Sequence, residues 1–254
     1  MITLLSPSKK LNFKNQDSTS IFTQCDFIDS AQELVNQAKN LTAQDLKDLM
    51  KISDSLANLN KERFDNWSMP FNIENSKQAI LAFDGGVYSG LEAEKFNQKD
   101  LDFAQDHLRI LSGLYGILKP LDLIQPYRLE MGTKFENSKG KNLYDFWKNE
   151  VTNNLNNNIK KHSDKTVLNC SSNEYFNVID KKLFNGNILN TVFKEYRDDQ
   201  LKFISFNAKK ARGLMAKFII NNKITNNNDL KDFNLENYKF DLALSDKSTF
   251  VFTR

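Results

Sequence analysis

The segment from His107 to Gly132 holds the densest mixture of residue types able to do chemistry. Its glycines, Gly113 and Gly116, permit backbone conformations closed to other residues, and its prolines fix φ, so the chain here follows a defined path. Charges are interleaved with leucine, isoleucine and tyrosine: Arg109, Lys119, Asp122, Arg128 and Glu130. Because charges at the margin of a packed interior need a partner or a ligand, the segment predicts either a lined cleft or a structural hairpin with internal ion pairs.

Two clusters nearer the start of the chain are suited to holding an anion. Ser6 to Lys10, SPSKK, follows the first predicted strand, and a strand end is a common place for binding residues such as Lys9. Solvated surface lysines are the alternative. The stretch from Leu81 to Leu91 contains three glycines around Tyr88 that could form a backbone concavity for an anion. It lacks the spacings of dinucleotide and P-loop motifs, so a tight turn between helices is the simpler interpretation.

Two clusters in the second half of the chain also depart from simple core patterning. In Asn169 to Phe176, Ser172 is predicted to cap a helical turn, and Cys170, at an apolar strand end, is predicted to be an inert buried thiol rather than a nucleophile. Asn207 to Phe218 is predicted to be a helix whose face around Gly213 lies among cations and leaves room for a ligand. These cations are Lys209, Lys210 and Arg212.

The hydrophobic patterns between and within these clusters predict a mixed sheet with surrounding helices. Apolar residues at helical spacing, and a capping box at Thr42 and Asp45, predict several helices. The predicted helices are 29–39, 42–50, 54–64, 76–83, 100–111 and 144–159. β-Branched and aromatic runs predict strands at 2–5, 166–169, 188–196, 201–206 and 249–252, with a hairpin turn at Asp198-Asp199-Gln200. The fold class is therefore α/β or α+β, in a single domain spanning residues 1–254, and strand order does not follow from the pattern.

Composition narrows the classes of protein. With 35 basic and 32 acidic residues, the net charge of +3 gives no global field of the kind that marks many nucleic-acid binders, so any basic surface must be local. The two cysteines, far apart in sequence, are expected to be reduced thiols. The first apolar run is broken at once by Ser6, Pro7 and Ser8, so neither a signal peptide nor a membrane span is predicted, and we expect a cytoplasmic protein without a membrane partner.

The order of the clusters and their amino-acid sequences resemble those of the YaaA family of peroxide stress resistance proteins. The similarity runs nearly end to end, through Leu4 to Lys9, Leu49 to Asp54, Gln78 to Phe83, the His107–Gly132 segment and Ala208 to Met215. The resemblance implies a cytosolic protein that is induced under hydrogen peroxide stress and limits damage from intracellular iron. It also implies a compact mixed fold, a helix-hairpin-helix element, a positively charged cleft and affinity for DNA.

Departures from the family pattern are few. Ser-Pro-Ser-Lys stands at Ser6 to Lys9 where the family has Ser-Pro-Ala-Lys, and Asn207 stands where an aromatic residue is frequent. Neither removes a cation. Cys170 replaces a small or apolar residue, which argues against a catalytic thiol. The glycines of Leu111 to Gly116 have a GxxG spacing rather than the tighter hairpin pattern, although their amides could still contact a DNA phosphate.

A resident metal or other cofactor is not predicted, because the chain has only His107 and His162 and its cysteines are isolated. Carboxylates such as Asp84, Asp122, Glu130 and Glu174 could converge on a weak metal, but ion pairs with arginine are the simpler expectation.

Two functions of different classes remain open. The first is a binder of damaged or distorted DNA, in which cations neutralise phosphates and a tyrosine stacks on an unpaired base. Its candidate residues are Ser6, Lys9, Tyr88, Arg109, Gly113, Tyr115, Gly116, Lys119, Tyr127, Arg128, Ser172, Lys209, Lys210 and Arg212. The second is an enzyme acting on a small anionic ligand such as a nucleotide or nucleobase, with Lys9 or Arg128 holding the anion and Glu130 or Glu174 as acid or base. The sequence leaves the oligomeric state undetermined.

Overall fold

The central element is a strand near the start of the chain, β1 (Ile2–Leu5), which is buried on both faces. The computed structural model describes residues 1–14 and 19–254. Within them, β1 lies between β5 (Leu108–Ser112) and β8 (Thr166–Cys170), and all three strands run parallel. Every residue of these three strands is buried, as expected for parallel strands covered by helices on both sides.

The sheet has the strand order β11-β12-β9-β8-β1-β5-β6. The further strands are β6 (Gly116–Leu118), β9 (Asn187–Arg197), β10 (Gln200–Lys202), β11 (Lys239–Phe240) and β12 (Thr249–Thr253). β9 and β12 continue the parallel part, while β6, β10 and β11 are antiparallel to their neighbours. Two small pairs lie apart from it: β2 (Lys10–Leu11) with β4 (Phe83–Asp84), and β3 (Lys77–Gln78) with β7 (Leu123–Ile124). The predicted mixed α/β fold is thus confirmed.

The helices account for most of the predicted helical segments. They are α1 (Ile28–Lys39), α2 (Ala43–Met50), α3 (Asp54–Asn66), α4 (Ala79–Ala82), α5 (Gly86–Leu91), α6 (Gln98–His107), α7 (Leu143–Ile159), α8 (Asn173–Phe176) and α9 (Ser205–Asn221). The capping box at Thr42 and Asp45 is confirmed, with each side chain bonded to the other residue's backbone N–H. The hairpin turn is confirmed too, since Asp198 and Asp199 adopt φ of 53° and 56° between β9 and β10.

Three predicted elements are wrong in part, each because tertiary pairing overrides local pattern. The helix expected over 100–111 ends at His107, because Leu108 to Ile110 pair with β1. The helix expected over 76–83 is reduced to α4, with β3 and β4 on either side. The strand expected over 201–206 stops at Lys202, and Ser205 already begins α9.

The strand order places a topological switch at the carboxyl ends of β1 and β8. From β1 the chain continues to β5 on one side, and then returns to place β8 on the other side of β1. In open α/β sheets, the crevice outside the carboxyl ends of strands at such a switch is where ligands bind. We call the surface at these carboxyl ends the carboxyl edge.

Candidate functional site

Ser6 and Ser172 meet at the switch point, each directly after a strand or one residue beyond it. The backbone N–H of Ser172 donates to Ser6 Oγ at 2.8 Å, and Ser6 Oγ lies 3.3 Å from Ser172 Oγ. Ser172 precedes α8 as predicted, but its side chain makes no capping hydrogen bond. It binds Ser6 instead. The pair therefore joins two of the sequence clusters across the carboxyl edge.

Lys9 and Arg128 share a single carboxylate beside this pair. Glu130 Oε1 lies 3.2 Å from Lys9 Nζ and 2.9 Å from both Nε and an Nη of Arg128. Lys9 is largely exposed, whereas Arg128 and Glu130 are mostly buried. The recess between Lys9 and Arg128 holds about 10 Å³, on the order of a single water. Two cations on one carboxylate leave excess positive charge at the surface, with no room at this recess for an enclosed substrate.

Glu174, the other candidate acid or base, is exposed on α8. Its Oε1 accepts from the Gly132 N–H at 3.2 Å. Tyr144 donates its hydroxyl to the Glu174 carbonyl at 2.7 Å, which fixes the backbone of this turn. Glu174 therefore connects the end of the His107–Gly132 segment to the strand-end cluster.

The glycine cluster packs against α9. A Cβ on Gly86 would lie 3.3 Å from Lys209 Cβ, and one on Gly90 would lie 2.2 Å from the Lys210 carbonyl oxygen. On the other helix, a Cβ on Gly213 would lie 1.8 Å from the Val87 carbonyl oxygen. The prediction that the face around Gly213 leaves room for a ligand is therefore wrong, because α5 fills that space. The close approach of the two helices instead fixes where Lys209 and Arg212 emerge.

Arg212 is a buried cation at this edge that the protein does not fully satisfy. Its Nε is buried and has no hydrogen-bond partner among the described residues. Burial lowers the pKa of its guanidinium, with the Cys170 thiol nearby at the end of β8. Since buried polar groups in native proteins are nearly always satisfied, an orphaned guanidinium N–H at a strand-end crevice indicates a place for an anion.

The neighbours of Arg212 on α9 differ in how far the protein neutralises them. Lys210 is paired with Glu236, and Lys217 with Glu92. Lys209 and Arg212 have no carboxylate within 4.0 Å in the described part of the chain. Of the three cations predicted on this helix, the structure therefore leaves Lys209 and Arg212 available at the carboxyl edge and engages Lys210.

We define the carboxyl-edge site as Ser6, Lys9, Arg128, Ser172, Lys209 and Arg212. Contacts join all five sequence clusters around it. Besides the pairs above, the Tyr88 hydroxyl donates to the Ser6 carbonyl at 3.0 Å, and Ser8 bonds the Asp84 carbonyl.

The tyrosines predicted to stack on bases are in the core. Tyr88, Tyr115 and Tyr127 are 7%, 0% and 5% exposed. Tyr115 accepts from Trp67 Nε1 at 3.0 Å, and Tyr127 shares a 2.7 Å hydrogen bond with Ser112. Burial raises the pKa of all three phenols. The stacking prediction is wrong for these residues, because packed rings offer no free face to a base.

The glycines of the GxxG segment have structural roles. Gly113 and Gly116 flank the turn of the β5–β6 hairpin. Gly116 has φ of 68°, and a Cβ on it would clash with Trp147. A Cβ on Gly113 would lie 2.1 Å from the Leu129 carbonyl oxygen. Both residues are buried, so the predicted phosphate contact is wrong; the helix-hairpin-helix element implied by the resemblance stays a prediction.

Arg109 and Lys119 lie at the opposite end of the sheet, where β5 begins and β6 has ended. Arg109 is buried and donates to the Gln105 and Leu108 carbonyls and to Asn158, each at 2.7 Å. Lys119 pairs with Asp26 at 2.7 Å. The predicted role of Arg109 in anion binding is wrong, because its side chain is buried and its donors are used within the protein. The role of Lys119, which is partly exposed and lies away from the carboxyl edge, stays a prediction. We call Asp26, Arg109, Lys119, Asp122 and Asn158 the amino-edge cluster.

Asp122 shows how strongly the amino-edge cluster is buried. Its carboxylate accepts from the Thr23 hydroxyl at 2.5 Å and from the Lys119 N–H at 2.8 Å. Burial nevertheless raises the pKa of Asp122 to about 6, the hydrogen bonds and the Lys119 charge acting in the opposite direction.

Among the described residues, no group of three or more His, Cys, Asp or Glu side chains is arranged to hold a metal ion. Both cysteines are free and buried. Burial raises the pKa of the Cys170 thiol to about 11, the opposite of what a nucleophile needs. In the described ranges, no helix is both long and apolar enough to cross a bilayer.

Sequence reasoning missed Arg63, on α3. Arg63 lines one cavity with Gln125 and Pro126, two residues before Arg128, and burial, followed by the positive charge of Arg128, lowers the pKa of its guanidinium. A lone arginine on an amphipathic helix carries no signal of its own, so only the cavity between α3 and the segment at Gln125 and Pro126 reveals it.

The sequence pattern of the family described as "Peroxide stress protein YaaA" matches residues 1–244. The chain is similar to a protein named "UPF0246 protein" of Saccharophagus degradans, with 50% identity over 254 residues that cover 100% of this chain and 99% of the relative. It is also similar to a protein of the same name from Aliivibrio fischeri, with 49% identity over 100% of this chain and 98% of the relative. The family pattern covers all but the last ten residues, and both relatives align with the whole chain. The chain therefore belongs to the YaaA family of peroxide stress proteins.

Proposed function

We propose that this peroxide stress protein binds DNA through the carboxyl-edge site, with a preference for distorted duplex, and that it does so in the cytoplasm. The main support for this proposal is the buried Arg212 Nε, which has no acceptor among the described residues. A phosphate oxygen supplies that acceptor and forms a charge-assisted hydrogen bond.

The surrounding charges favour a polyanion over a single small anion. Lys9 and Arg128 share Glu130, while Lys209 has no carboxylate near it in the described part of the chain. Successive phosphates of a DNA strand match several separate cations, and they fix position without reading sequence. The small recess at Glu130, about 10 Å³, gives the alternative of an enclosed nucleotide substrate less support at this point.

Protection against iron-dependent damage follows from DNA binding in simple chemical terms. Ferrous iron held on DNA phosphates reacts with hydrogen peroxide beside the sugar and base. A protein whose cations occupy those phosphates displaces the metal and excludes peroxide from the covered strand. We propose this shielding as the link to peroxide stress.

The test is a salt titration of duplex binding by the wild type and by Lys209→Met/Arg212→Met. If both cations contact phosphates, the double variant should have a weaker salt dependence than the wild type. The negative slope of log affinity against log salt should become smaller in magnitude by roughly 1.8, since each contact contributes about 0.9. Lys210→Met is the matched control, because Lys210 is on the same helix but already paired with Glu236. Its slope should stay close to that of the wild type.

Two outcomes would count against the proposal. Equal slopes for the double variant and the wild type would place Lys209 and Arg212 outside the DNA footprint. Failure of the wild type to bind DNA at moderate salt would refute the proposed DNA-binding function. Nicking of plasmid DNA by ferrous iron and peroxide, measured with the same proteins, tests the shielding step: protection should follow affinity.

A further inference from the structure

A cavity of about 420 Å³ lies beside the carboxyl-edge site, between α3 and the segment around Pro126. Its apolar wall consists of Leu11, Phe13, Leu59 and Pro126, with Arg63 and Gln125 among its polar residues. This volume is in the range of pockets that hold small organic groups, about 300–1,000 Å³. We call it the Arg63 pocket.

Two of its walls are held in place by hydrogen bonds. Gln125 donates to the Ser68 carbonyl at 2.8 Å and accepts from the Ser68 N–H at 3.1 Å. In another part of the lining, Leu11 belongs to β2, which pairs with β4. The pocket is thus formed by the fold, before any ligand arrives.

Both walls continue directly into the carboxyl-edge site. Lys9 precedes Leu11 by two residues, and Arg128 follows Pro126 by two residues. Two residues of extended chain span at most about 7 Å. The backbone positions of Lys9 and Arg128 are therefore within about 7 Å of the pocket wall, so a phosphate on the surface at these two cations lies near a base in the Arg63 pocket.

The charges of the pocket discriminate between parts of a nucleotide. Arg63 has neither a carboxylate within 4.0 Å nor another hydrogen-bond partner in the described part of the chain, and its planar guanidinium suits stacking on a base. Glu62, also on the rim, repels a phosphate but accepts from base amino groups. The apolar wall and Glu62 together favour a base inside, with its phosphate outside.

We propose that the Arg63 pocket receives a single nucleobase that is unpaired in a distorted DNA duplex, while Lys9 and Arg128 hold the adjoining phosphate. This inference rests on the proposed DNA binding and supplies the base contact that the buried tyrosines cannot make. An already unpaired base enters without the unstacking cost, so the pocket gives the protein its preference for distorted sites.

The experiment compares three DNAs: a paired duplex, the same duplex with one bulged fluorescent adenine analogue, and the duplex with an abasic bulge. The wild type should bind the adenine bulge about tenfold more tightly than the other two, from stacking of one base. The fluorescence of the analogue should change on binding.

Two variants test the pocket itself. Leu59→Trp fills the cavity, and Leu56→Trp is its control, because Leu56 is similarly exposed on the same helix but does not line the pocket. Arg63→Met removes the stacking cation, and Lys99→Met removes an exposed cation on α6 as its control. Leu59→Trp and Arg63→Met should reduce the preference for the adenine bulge to near unity, whereas both controls should keep it.

The outcomes separate the pocket from the function. If the wild type binds none of the three DNAs, the proposed DNA binding fails. If it binds all three but Leu59→Trp keeps the preference, DNA binding stands and the pocket assignment is overturned. Saturable binding of free deoxyadenosine monophosphate, with no preference among the DNAs, would also overturn it and would assign the pocket to a small nucleotide. Thermal unfolding of each variant identifies any that fails to fold.

Discussion

The carboxyl-edge site and the amino-edge cluster both contain lysine and arginine, yet the protein neutralises these cations to different extents. At the amino edge, Arg109 and Lys119 stand with Asp26 and Asp122, two cations with two carboxylates, and Arg109 makes three hydrogen bonds. At the carboxyl edge, Lys9 and Arg128 share one carboxylate, and Arg212 has a buried N–H without an acceptor in the described residues.

The difference separates charges that hold the fold from charges that can bind a ligand. A buried charge whose donors are all bonded within the protein supports the fold, and its removal leaves its bonding partners unsatisfied. A charge without a partner in the protein adds little to the stability of the fold, and it is free to bind an anion from outside.

The largest effect should come from Gly213→Ala, which changes the scaffold of the carboxyl-edge site without touching its cations. The new Cβ would meet the Val87 carbonyl oxygen at 1.8 Å, so α5 and α9 must separate. Alanine gains about 1 kcal/mol in helix propensity, but the clash should cost more than about 3 kcal/mol of unfolding free energy. Chemical denaturation measures it; an unchanged midpoint would mean that the helices are not in close contact.

Arg109→Met should lower the free energy of unfolding by about 3 kcal/mol, because three acceptors around a buried side chain lose their donor. DNA affinity per folded molecule should not change. Urea titration together with a binding assay gives both quantities. A variant of full stability, or one that is stable but defective in binding, would contradict the assignment of Arg109 to the fold.

Asp122→Asn should alter how stability depends on pH. Because the folded-state pKa of about 6 is above the ordinary aspartate value of 3.8, the carboxyl favours the fold when protonated and opposes it once ionised. This contribution is present below about pH 4 and is lost as the pH rises through 6. From pH 4 to pH 7 the variant should gain about 2 kcal/mol relative to the wild type. Parallel curves for the two proteins would show that Asp122 is not perturbed.

Arg212→Met should have the smallest effect on stability, unchanged or higher by up to about 1 kcal/mol, because no hydrogen bond or ion pair within the described chain is lost and a buried N–H without an acceptor is removed. It is the counterpart of Arg109→Met at the other edge, with the same residue types exchanged. Thermal unfolding of the two variants side by side is the measurement. A loss as large as that of Arg109→Met would mean that Arg212 supports the fold.

Local patterns predicted the regular elements wherever they agreed with tertiary pairing. The apolar spacing of α1 and α7, the capping box of α2 and the turn at Asp198 and Asp199 were all readable from neighbouring residues. The boundary at His107 was not, because helical periodicity continues past it while β1 recruits the next residues as a strand. Pairing over about a hundred residues has no signature in a local window.

For the candidate site, residue type was informative but orientation was not. Lys9, Arg128 and Arg212 stood out as cations within segments that mix polar, apolar and glycine residues, and the structure brings them to one edge. Arg109, only three residues before Ser112, is equally conspicuous in sequence. It faces the opposite end because about 10 Å of strand separates those positions.

The family, the mixed α/β class and the set of charged and glycine-rich segments depend on residue identity and short-range spacing, so the amino-acid order was enough to establish them. Which charges are neutralised follows from folding, since an ion pair such as Lys210 with Glu236 joins residues far apart in the chain. Folding also decided that three tyrosines are core and that Arg63 borders a pocket. Burial and pairing are properties of surfaces brought together by folding, and no single segment contains them.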